Sequence, residues 1–129
     1  MAGGGSTYLR TKFLDHGLGV TSYTFPSAIW LAAYVGDPGG AGTECSGTSY
    51  ARVQIEFDSA TQGTTDNTNE ESFPEAGGSW GTITHLALYD AETVGNLLWY
   101  GPLTVEKAIE SGDTLQVAAG NFDVTLSPS

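Results

Sequence analysis

The sequence predicts a mainly β fold: an antiparallel β-sandwich, jelly-roll-like, with one short N-terminal helix. Three observations carry this. From Thr21 onward apolar residues recur with a period of two, and valine, isoleucine, threonine and aromatics dominate. Clusters of glycine, proline, asparagine and aspartate break these runs at short intervals, as the turns of two packed sheets require. Only the segment before residue 20 shows the three- and four-residue apolar spacing of a helix. At 129 residues the chain has the length of one domain, and it holds no internal repeat of the kind that builds propellers or solenoids.

Taken in order, residues 1–6 read as a flexible, glycine-rich arm and residues 7–129 as a single β domain. Ser6 or Thr7 can cap a helix over about 7–18 whose apolar residues are Leu9, Phe13, Leu14 and Leu18, with Gly17 and Gly19 ending it. Pro26 opens a strand from Ala28 to Val35. Ile29, Leu31, Ala33 and Val35 share one face, Trp30 and Tyr34 the other, so both faces call for cover. The run Gly36-Asp37-Pro38-Gly39-Gly40-Ala41-Gly42 is a loop. Tyr50 to Phe57 alternates as a half-exposed strand, Val53, Ile55 and Phe57 inward and Arg52, Gln54 and Glu56 outward.

Asp58 to Glu71 offers almost nothing to bury and reads as a polar loop or weak edge strand. Trp80 to Tyr89 is a central strand with Ile83, Ala87 and Tyr89 on one face and Trp80, Leu86 and Leu88 on the other. Residues 90–96 turn, and Leu97 to Tyr100 completes a hairpin that Gly101-Pro102 interrupts. Leu103 to Ile109, Thr114 to Ala118 and Phe122 to Leu126 bring the count to seven or eight strands.

Fifteen acidic residues against four basic ones give a formal charge of -11, a field that repels phosphate backbones and anionic headgroups. Nucleic acid and membrane surfaces are thereby excluded as direct partners. The single cysteine, Cys45, excludes an intrachain disulfide and a multi-cysteine zinc site. The start Met1-Ala2-Gly3-Gly4-Gly5 lacks the basic and apolar regions of a signal peptide, so the expectation is a soluble protein made in the cytoplasm.

No catalytic constellation emerges, and no cofactor or metal is expected. His16 and His85 lack a nucleophile at a recognisable elbow spacing, and His85, mid-strand, reads as a hydrogen-bonded structural residue. The run Asp66-Asn67-Thr68-Asn69-Glu70-Glu71 collects oxygen ligands but misses the acid spacing and the glycine of a calcium loop. Glu70 and Glu71, adjacent on an extended chain, point to opposite faces and cannot flank one glycosidic bond. Trp30, Tyr34, Trp80, Trp99 and Tyr100 suit either a sugar-binding platform or core and subunit-interface material, the second being the commoner use of aromatics at strand spacing.

Several strings, read in order, carry a resemblance. They are Tyr8-Leu9, Leu14-Asp15-His16 with Leu18-Gly19, Thr21 to Pro26 with Trp30-Leu31-Ala32, Asp37-Pro38 with Gly42-Thr43-Glu44, Ser46-Gly47 and Tyr50-Ala51-Arg52. The second half adds Trp80-Gly81-Thr82-Ile83-Thr84-His85, Asp90-Ala91, Gly95-Asn96-Leu97-Leu98, Tyr100-Gly101-Pro102-Leu103 and Ser111-Gly112-Asp113-Thr114. Together they resemble a family of small bacteriophage virion proteins described as tail-fibre-like or simply structural. That resemblance implies a non-enzymatic virion component with a β-rich fold, and leaves head and tail both open.

A compact acidic domain without fibrous repeats favours a capsid decoration (cement) protein bound to the major capsid protein, with a tail or tail-fibre subunit and a glycan- or receptor-binding module as the alternatives. The two-faced strand predicts self-association, and decoration proteins commonly form homotrimers. The expected interface residues are Met1, Gly3, Gly4, Gly5 and Tyr8 of the arm, acting as a tether, together with Trp30 and Tyr34.

Overall fold

The computed structural model describes residues 4–126. Most of the chain's apolar alternation is spent on one six-stranded antiparallel sheet. It uses β1 (Gly4–Gly5), β2 (Ile29–Val35), β3 (Thr43–Glu44), β4 (Val53–Ile55), β7 (Gly81–Tyr89) and β8 (Leu97–Ile109). The order is β1-β8-β7-β2, with β3 and β4 both on the far edge of β2. Two short ladders complete the sandwich-like β architecture: β5 (Thr64–Asp66) pairs with β10 (Asp123–Thr125), and β6 (Glu71–Ser72) with β9 (Gln116–Val117). One helix, α1 (Thr7–Gly17), is the helical element among the described residues.

The faces of the sheet follow from the pleat. Leu31, Ala33, Ile55, Leu86 and Leu88 enter the main core, where Phe73, Leu115, Val117 and Phe122 from the ladder segments meet them. Ala32, Tyr34 and Ala87 form a second, smaller cluster on the opposite face, with Tyr89, Leu97 and Tyr100 packed against it. Both faces of β2 are therefore covered, as its two-sided apolar sequence required.

Several expectations change. Ile83 joins the Leu86 and Leu88 side instead of Ala87 and Tyr89, because a register shift between Ile83 and His85 turns one residue over. Pro102 does not end its strand: β8 runs through it, with Pro102 opposite His85 beside that same irregularity, where a missing N–H costs little. The expected strand from Tyr50 to Phe57 contracts to three residues, β4. Residues 58–71 follow the strand alternative, with β5 inside them and β6 starting at Glu71, and what the polar reading did not foresee is the buried Asn67. Asn67 is 1% exposed, donates through Nδ2 to the Asn69 and Ala118 carbonyls at 2.8 and 3.0 Å, and accepts the Phe122 N–H at 2.8 Å. It ties the β5–β10 side of the molecule to the core.

Gly4 and Gly5 of the presumed arm are paired within the chain, opposite Tyr100 and Trp99. A Cβ on Gly5 would stand 3.1 Å from the Trp99 ring, a tight approach that would require the ring to give by a few tenths of an ångström. The next residue, Ser6, donates its N–H to the Leu98 carbonyl and caps α1 by accepting from Leu9 N at 3.1 Å. On α1 only Leu9 is buried, whereas Phe13 and Leu14 stay exposed, as does Leu18 just beyond the helix. The apolar face foreseen for this helix is thus mostly left uncovered. His16 closes the helix by accepting the Tyr23 N–H at Nδ1, 3.0 Å away.

Candidate interaction surface

The uncovered face of α1 borders an apolar groove of about 360 Å³. Leu88, Leu98 and Trp99 supply its floor from β7 and β8, and Leu9 and Phe13 one wall from α1. Tyr23, Phe25, Pro26 and Ile29 add a second wall, and Phe57, Thr65, Val124 and Leu126 a third. Of its lining residues Phe25 is 82% exposed, and just after α1 in the chain Leu18 is 76% and Val20 71% exposed. Tyr23 lines the groove, and its buried hydroxyl has no hydrogen-bond partner among the described residues. Burial, with Tyr8 and Asp90 nearby, pushes this phenol above its ordinary pKa. A contiguous apolar surface of this kind is the form of a docking site.

A second construction sits at the β7–β8 turn. Arg52 grips the Glu44 carboxylate with two prongs, Nε to Oε2 at 2.9 Å and Nη2 to Oε1 at 2.8 Å. Its Nη1 donates to the Ala91 and Val94 carbonyls at 2.9 and 2.8 Å, and the guanidinium lies 3.7 Å over the Tyr89 ring. Tyr50 donates its hydroxyl to Glu44 at 2.7 Å and accepts the Ala33 N–H at 3.0 Å, while the Tyr34 and Tyr89 hydroxyls are hydrogen-bonded to each other.

Burial by itself would raise the Glu44 carboxyl. The bonds from Arg52 and Tyr50 and the Arg52 charge outweigh it and hold Glu44 below its ordinary range. Tyr34 and Tyr50 are pushed well above the usual phenol range, first by burial and then by their hydrogen bonds to Tyr89 and Glu44. The network locks the turn at residues 90–96, which Asp90 closes by accepting from Asn96 N at 2.7 Å and Asn96 Nδ2 at 3.0 Å. Arg52 and Tyr50 spend their donors on Glu44 and on the carbonyls of the turn. The set is a clamp.

The residues singled out in the sequence divide sharply. Tyr34, Trp80 and Trp99 are buried and Trp30 is half-buried, so they form no exposed aromatic platform. Trp80 spends its Nε1 donor on the Thr48 carbonyl. Tyr34 is committed to Tyr89, and Tyr8 is half-buried against the core under the Lys12 ammonium. Gly4 and Gly5 are strand-paired, and Met1 and Gly3 lie outside the described residues. His85 bonds through Nδ1 to Thr84 Oγ1, which also accepts the Gly36 N–H, consistent with a structural role. Cys45 is buried against Trp80, and that burial raises its thiol. Arg52, assigned to the solvated face by its alternation, is the residue that sequence reasoning missed. An arginine and a glutamate eight residues apart carry no signal until the fold brings β3 and β4 to one edge of β2.

Residues 4–125 match the family described as Podophage GP4 fiber I protein gp80. The chain belongs to this family. It is accordingly a structural protein of the phage virion, of the tail-fibre-like kind. No curated protein matches it.

Proposed function

We propose that this protein is a non-enzymatic subunit of a tail fibre, acting by assembly with itself and with other virion proteins. The observation that carries the reading is the family match over nearly the whole described chain, 4–125. The exposed apolar groove beside α1 supports it, because a compact acidic domain gains nothing in water from Phe25, Leu18 and Val20 standing clear of its core. Capsid decoration, the expectation drawn from compactness and charge, receives no support from the family description. Nor does the burial of Tyr34, Trp80 and Trp99 favour an aromatic sugar platform.

The test is immunogold labelling of purified virions with an antibody against the protein. Label on the tail appendages is the expected result. Label spread over the head would overturn the fibre reading and restore decoration.

A further inference from the structure

The turn at residues 90–96 is built as a projecting knob. Val94 at its tip has φ +57°, a left-handed conformation that a β-branched side chain rarely adopts. Its side chain is 84% exposed, so no packing within the chain compensates the strain. What holds it is the Arg52 clamp on the Ala91 and Val94 carbonyls and the Asp90–Asn96 closure. A strained, exposed valine kept rigid by a buried arginine is preorganised for a contact the single chain does not make.

The same strands that carry this knob, β7 and β8, floor the apolar groove through Leu88 and Leu98, yet Val94 does not fill it. The charges differ in sign as well. The knob carries Asp90 and Glu92, whereas α1, whose Leu9 and Phe13 line the groove, carries Arg10 on Gly5 and Thr7 and Lys12 over the Tyr8 ring. Residues 1–36 hold two of the four basic residues and one of the fifteen acidic ones. The remaining chain therefore keeps two basic and fourteen acidic, and the α1 side is where another acidic surface can approach.

We infer that the occupant of the groove is a second copy of this chain, whose Val94 turn enters between α1 and Phe25. Knob and hole lie on one molecule, so each copy offers both halves of the contact. This inference rests on the assembly role proposed above and specifies its self-contact.

The experiment follows the mass of the purified protein by light scattering and sedimentation over roughly 10–500 µM, a range that brackets weak self-association. The wild-type chain should associate with rising concentration. Val94→Asp and Phe25→Lys should each weaken association at least about tenfold, as expected for a central apolar contact given a charge. An equimolar mixture of the two variants should recover it, because an intact knob then meets an intact groove and the introduced aspartate meets the introduced lysine. Circular dichroism and thermal melting check that both variants fold, as side chains this exposed allow. A wild-type chain that stays monomeric, a Phe25→Lys chain that associates normally, or a mixture without recovery would each overturn the inference. None of these outcomes bears on where gold label sits on the virion, so the two readings fail separately.

Discussion

Arg52 and Glu44 meet in a two-pronged ion pair, 2.8 Å at its closest, although they sit eight residues apart, Glu44 at the end of β3 and Arg52 just before β4, two strands that do not pair with each other. Both strands pair with β2, at opposite ends, and the side chains close the space between them. With Arg52 only 7% exposed and Glu44 24%, this is a largely buried contact, and removing one partner strands the other. Arg52→Ala should destabilise the fold by about 3 kcal/mol. Arg52→Lys should cost about 2 kcal/mol, because a single ammonium cannot reach Glu44, Ala91 and Val94 together. Urea unfolding followed by tryptophan fluorescence measures both.

The same pair sets a pH dependence. Glu44 in the folded chain is held below its ordinary carboxyl value, so its contribution to stability is complete above the unfolded-state pKa and is lost as pH falls through the folded one. Midpoints of urea unfolding from neutral pH down into the acid range should fall for the wild-type chain, and Glu44→Gln should flatten part of that fall. Parallel curves for the two proteins would show that Arg52 does not act through the carboxylate charge.

Asn67 offers a neutral counterpart. Asn67→Ala removes the acceptor of the buried Phe122 N–H and the Nδ2 donor to the Asn69 and Ala118 carbonyls, an expected loss of about 3 kcal/mol in urea. Amide exchange should show the change concentrated in β5 and β10, the strands flanking Asn67 and Phe122.

At Val94 stability and assembly should separate. Asparagine tolerates the left-handed region far better than valine, so Val94→Asn should stabilise the monomer by about 0.5–1 kcal/mol. The same substitution removes the apolar tip and should weaken self-association. A thermal melt on dilute protein and a sedimentation run on concentrated protein read the two effects independently.

Alkaline titration gives a further check. The chain has six tyrosines, of which Tyr23, Tyr34 and Tyr50 are held above the ordinary phenol pKa, chiefly by burial. For an acid whose folded pKa is raised, stability is present below the unfolded value and lost as pH rises past it. Phenolate absorbance should therefore rise in a late step coincident with unfolding, and Tyr50→Phe should reduce that step by one residue's worth.

The local chemistry of the sequence was enough to determine the β class, the two-faced character of β2, a helix cap at Ser6 or Thr7 and the loop at residues 36–42. Each depends on a residue and its near neighbours: pleat alternation, a hydroxyl before a helix, glycine and proline in a run. Tertiary structure decided what depends on distant partners. Arg52 alternates with Gln54 and Glu56 like any solvated residue, and only the joint pairing of β3 and β4 with β2 makes it a clamp. Asn67 reads as one polar residue among many until Ala118 and Phe122, about fifty residues away, close around it. Helical spacing gave Phe13 and Leu14 the pattern of a buried face. Whether such a face is covered depends on how much sheet lies beneath it, and here α1 extends past the core and leaves them in water. A desolvation energy belongs to the assembled surface, and no local stretch of sequence contains it.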